Sequence, residues 1–140
     1  MANTSEIKKS LIVVTDESKA RKIVQQVRIA GYEPAVLLTV DEALKLMAFI
    51  NYDLVVMDED VADKDKRVLA YVLTIPMQLR RKTLFVLIGT KYATNDRLNA
   101  FVMGLDALIN YADIERLAGN LQMIEKEHRQ FYRLFYNIIG

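Results

Sequence analysis

Residues 53–60, "DLVVMDED", set an unbroken apolar run between two acids and follow it with a burst of negative charge. An apolar run with no polar alternation is the pattern of a strand covered on both faces. Working outward from it, the same pattern recurs. Ser10–Val14 ("SLIVV"), Pro34–Leu38 ("PAVLL") and Thr83–Ile88 ("TLFVLI") read as buried strands, and Leu105–Asn110 as a weaker one. Between them the apolar residues switch to helical spacing. Ala20, Ile23, Val24, Val27 and Ala30 predict a helix from Glu17 to Ala30, closed by Gly31 as a C-cap residue. Thr39 and Glu42 have the spacing of a capping box and open a helix from about Val40 to Ile50. Residues after Asp58 read as an acidic loop. Arg67–Leu79 follows as a helix that Pro76 should kink or end near Ile75, because proline lacks the amide donor. Thr94–Met103 is a short helix that Gly104 can cap. Buried strands alternating with helices predict a parallel sheet with right-handed crossovers on both faces, a three-layer α/β architecture.

Composition narrows the function. The chain has 140 residues and 52% hydrophobic content, enough for one core of ordinary size. Lys+Arg 19 against Asp+Glu 18 leaves a formal charge of +1, so no overall field favours nucleic acid or an anionic membrane. With Cys 0 there is no disulfide, thiolate zinc site or thiol nucleophile. The amino terminus, MANTSEIKKS, lacks an apolar signal core, and no apolar run approaches a membrane span, so a cytoplasmic protein is expected. "VVTDESKA", after the first strand, contains no glycine, which excludes a dinucleotide-binding turn. No phosphate-binding loop or nucleophile elbow occurs, and the single His lies far along the chain. The chain is not expected to be an enzyme.

The order of these units, with acids after the first and third strands, resembles the receiver domain of bacterial two-component response regulators. The resemblance covers roughly residues 8–124. It implies a flavodoxin-like, doubly wound (βα)5 fold with a parallel five-stranded sheet and, here, an extended last helix. In that family paired acids after the first strand and an Asp ending the third strand hold Mg²⁺, and the latter Asp accepts a phosphoryl group. A hydroxyl residue ending the fourth strand and a Lys ending the fifth orient the phosphoryl oxygens. Carried onto this chain, the paired acids fall on Thr15 and Asp16, and the phosphoacceptor on Asp58. The hydroxyl falls on Gly89 in "LIGTK", or on Thr90 after a one-residue slip. The Lys falls on Tyr111, or on Asn110 with a slip. One acid, the hydroxyl and the Lys are therefore altered. Phosphoryl transfer depends on positioning and on charge stabilisation, and here the anchoring cation is missing while Asp16, Glu59 and Asp60 surround Asp58. The expectation is a degenerate receiver, a signalling interaction module that is not phosphorylated and requires no cofactor. Asp16, Asp58 and Asp60 remain as weak ligands for Mg²⁺. The alternative is a working receiver that accepts a phosphoryl group on Asp58 with Mg²⁺.

The carboxyl terminus carries a separate signal. Ile114, Leu117, Leu121, Ile124, His128, Phe131, Phe135 and Ile138 step by 3, 4, 3, 4, 3, 4 and 3 residues, a heptad seam. A receiver-like domain at 8–125 needs only the first half. The continuation at 126–140 should project or fold back, and its aromatic content predicts a partner. A homodimer through this helix is the simplest, with Ile124, His128, Phe131, Phe135 and Ile138 at the interface. His128 also reads as a partly buried core residue. The basic run Arg80, Arg81 and Lys82 reads as a solvated helix end beside its carbonyl dipole.

Overall fold

The computed structural model describes residues 7–37 and 39–139, with side chains as far as residue 134. Its strands are β1 (Lys8–Val13), β2 (Tyr32–Leu37), β3 (Leu54–Asp58), β4 (Leu84–Gly89) and β5 (Ala107–Asn110). They form one sheet in the order β2-β1-β3-β4-β5, parallel at every pairing. The helices are α1 (Glu17–Ile29), α2 (Val40–Phe49), α3 (Glu59–Lys64), α4 (Arg67–Thr74), α5 (Met77–Arg80), α6 (Arg97–Met103) and α7 (Leu117–Ile139). A tight 3-10 turn at Tyr111–Arg116 links β5 to α7.

The apolar runs are apolar because both sheet faces are covered. Ile12, Leu54, Val56, Val86, Ile88 and Ile109 pack beneath α1 and the start of α7. Their sequence neighbours Leu11, Val55, Met57, Phe85, Leu87 and Leu108 face the other way, into α2, α4 and α6. This is strand alternation with no wet side. The expected three-layer α/β sheet and the extended last helix are both present. Pro76 acts as expected: α4 stops at Thr74, and the proline caps the short α5.

One expectation fails in the middle of the chain. The residues after Asp58 form α3 rather than a loop, because the Asp58 side chain accepts the Asp60 amide and caps the helix. An aspartate in that position satisfies an orphan amide and starts a turn even in a strongly acidic stretch.

The last helix divides its labour. Leu117, Ala118, Leu121 and Ile124 complete the core against α1. Ile124 is therefore an internal residue rather than an interface residue. Beyond it His128 is also turned inward, 3.8 Å from Asp106 and against the Tyr132 ring. Tyr132 in turn lies 3.5 Å from the Met77 sulfur, and Arg97 pairs with Glu127, so the helix leans on α5 and α6 instead of projecting freely. Phe131 keeps 59% of its surface exposed. The side chains of Phe135 and Ile138 lie outside the described residues.

Candidate functional site

Register brings the chemistry to one edge. Val13 pairs with Met57, Asp58 with Ile88, and Gly89 with Asn110, so the carboxyl ends of β1, β3, β4 and β5 meet at one mouth. In an open α/β sheet this is where ligands bind.

Asp58 is the buried acid of that mouth, only 3% exposed. Its Oδ1 accepts the Asp60 amide at 2.9 Å, while its Oδ2 is buried with no hydrogen-bond partner. Burial raises its pKa above the usual carboxylate range. The Asp60 amide bond and the nearby Lys19 oppose that rise without cancelling it. Asp16 is close in sequence to the mouth but differently engaged. Its Oδ1 accepts the Ser18 and Lys19 amides at 2.8 and 3.3 Å, capping α1.

The anchoring cation expected to be missing is supplied from another element. The Lys19 ammonium, from the first turn of α1, lies 3.9 Å from both Asp58 Oδ2 and Asp60 Oδ2. It also lies 5.6 Å from the centre of the Tyr111 ring, which stands where the resemblance placed the family's lysine. An aromatic face holds a cation, so Tyr111 serves as a platform for a lysine that α1 delivers. The acids of the mouth are thus less starved of positive charge than the sequence implied.

Glu59 corrects a second expectation. Its charge still disfavours ionisation of Asp58, but its side chain turns across to the end of β4. There its Oε1 accepts the Thr90 amide at 2.7 Å and the Thr90 hydroxyl at 2.8 Å, and its Oε2 accepts the Lys91 amide at 3.3 Å. Burial alone would raise its pKa, but these donors outweigh burial and hold the carboxyl below the ordinary glutamate value. Gly89 permits the arrangement, since a Cβ at that position would overlap the Glu59 side chain. The Lys91 ammonium pairs with Asp63.

Magnesium asks for a near-octahedral oxygen shell. Among the described residues no three acids or histidines are gathered as a set that could hold a metal ion. Asp16, Asp58 and Asp60, named from the sequence as weak ligands, are not brought together as one set, and the free oxygens of the last two face an ammonium.

Sequence reasoning also missed Arg80. It is no solvated helix end. Its guanidinium donates to the Thr83 and Gly104 carbonyls at 3.0 Å each and pairs with Asp106 at 2.8 Å, both partners being largely buried. Asp106 in turn accepts the Phe85 amide at 2.7 Å. His128 completes this cluster, and burial, with Arg80 nearby, keeps its pKa below the usual histidine value despite the opposing pull of Asp106.

No protein-family model matches the chain, and no curated protein matches it. Solved structures do. The chemotaxis response regulator CheY4 of Vibrio cholerae is similar at 20% identity and a TM-score of 0.67, over 85% of this chain and 99% of that one. A CheY-like receiver domain from Methanospirillum hungatei gives 21% and 0.68, over 89% and 98%. An orphan response regulator of H. pylori gives 20% and 0.64, over 84% and 96%. With the strand order β2-β1-β3-β4-β5, these likenesses establish that the chain has the fold of the response regulator receiver domains.

Proposed function

We propose that the chain is a receiver-like signalling module that works through protein contacts without accepting a phosphoryl group and without a required cofactor. The observation that carries this reading is that the charged groups and donors of the mouth are already engaged with one another. Lys19 takes the open oxygens of Asp58 and Asp60, and Glu59 takes the donors at the end of β4. A phosphoryl group on Asp58 would need donors that are already engaged, and a metal ion beside it would have to displace the Lys19 ammonium.

The surface supports a protein partner. Leu98, Phe101 and Val102 on α6 stand 73%, 81% and 70% exposed, and Phe131 and Leu134 on α7 are open to solvent as well. Exposed apolar side chains grouped on neighbouring elements mark contact surfaces. A second copy of the chain is the partner we propose, seated on the outward side of α7 by a twofold axis. Among the described residues no helix is long and apolar enough to cross a membrane.

One experiment tests both parts. The full chain is incubated with acetyl phosphate and Mg²⁺, and its intact mass and sedimentation are read before and after. The expected result is no added phosphoryl mass and a dimer unaltered by the treatment. A phosphoryl mass that disappears in Asp58→Asn would overturn the first part, and a monomer would overturn the second.

A further inference from the structure

The strongest unexplained feature is an anion site that already contains an anion. At the end of β4 the Thr90 amide and hydroxyl donate to one oxygen of a single carboxylate and the Lys91 amide to the other. Convergent donors of this kind form a concavity for an oxyanion. Here the oxyanion is Glu59, the residue immediately after the buried Asp58.

The placement is built at several levels. The Asp58 cap sets the first turn of α3, and that turn projects Glu59 toward β4. Gly89 leaves open the volume its side chain occupies. The far end of the same loop is clasped independently. The Asn110 side chain donates to the Tyr92 carbonyl, the Thr94 hydroxyl accepts the Asn110 amide and donates to Asp113, and the Asn95 amide donates to the Leu108 carbonyl. The loop between these clasps runs directly into α6, which carries the exposed Leu98, Phe101 and Val102.

We propose that Glu59 is the resident anion of this pocket: its carboxylate fills the oxyanion site of Thr90 and Lys91 and holds the β4–α6 loop in its anion-bound arrangement without phosphorylation. The inference rests on the reading that Asp58 is not phosphorylated, and it adds how the module is regulated. The α6 surface is displayed constantly, because the anion that fixes its loop is part of the chain and cannot leave.

The test uses the full chain and its Glu59→Ala variant, each titrated with inorganic phosphate while the Thr90 and Lys91 amide resonances are followed. In Glu59→Ala the emptied site should take phosphate, with saturable shifts of both amides. In the unaltered chain the same amides should stay flat. Flat amides in the variant, or equal saturation in both proteins, would overturn the proposal. The unaltered protein decides the matter should the variant not fold. Its Thr90 amide, bonded to Glu59 at 2.7 Å, should be protected from hydrogen exchange. A Thr90 amide that exchanges as freely as an open loop amide would contradict the inference. These outcomes are distinct from phosphorylation: a phosphoryl mass on Asp58 defeats the reading beneath, whereas silent Thr90 and Lys91 amides defeat this inference alone.

Discussion

Arg80→Ala lowers the unfolding free energy by about 3 kcal/mol, measured by denaturant titration, while Lys82→Ala two residues on changes it by no more than about 0.5 kcal/mol. The reason lies in what each cation touches. Lys82 is exposed. Arg80 holds the Thr83 and Gly104 carbonyls, pairs with Asp106, and lies 4.6 Å from the centre of the Phe85 ring. Removing it leaves Asp106 as a largely buried charge whose remaining partners are the Phe85 amide and a histidine whose pKa burial lowers. Deleting one member of a buried pair costs more than the pair itself contributes, because the survivor is stranded. Arg80→Lys should recover only part of the loss, since an ammonium cannot span two carbonyls and a carboxylate in the fork geometry of a guanidinium. Equal effects at Arg80 and Lys82 would contradict this account and restore the view of the run as a solvated helix end.

Leu121→Ala has an effect of the same size, a loss of about 3 kcal/mol seen in the same titration. Leu121 has no exposed surface, and with Leu117 and Ile124 it seats α7 on the sheet beside α1. Truncation removes buried methyl groups and leaves a void among side chains that the sheet holds in place, so little relaxation is available. A loss below about 1 kcal/mol would mean that α7 is not an integral layer of the fold.

Much of the fold was legible because its strands are buried on both faces and its helices carry period and caps. Asp58 stood out in the sequence for the same reason: it ends an apolar run that nothing else would interrupt. The parts that were not legible depend on contacts distant in sequence. Glu59 reads as a repulsive neighbour of Asp58 until the chain brings Thr90 and Lys91 alongside it. Lys19 is an ordinary helix residue until α1 packs beside β3 and the Tyr111 ring supports its ammonium. The acidic stretch after Asp58 hid a helix because charge density suggested solvation, while the local cap decided the backbone. The heptad seam was correctly seen as helical. Its period could not show that Ile124 and His128 spend their faces on this domain, leaving the outward side to Phe131.

The central claim is that the mouth of the sheet is occupied by the chain's own groups, Lys19 beside Asp58 and Asp60, and Glu59 on the donors of Thr90 and Lys91. Its most direct test is a magnesium titration of the full chain, following the carboxyl and amide resonances of Asp16, Asp58 and Asp60. With the oxygens of Asp58 and Asp60 directed at Lys19 and Asp16 capping α1, these resonances should remain unmoved as the ion is added. Joint, saturable movement of all three would show a metal site assembling against the ammonium, and the account would be wrong.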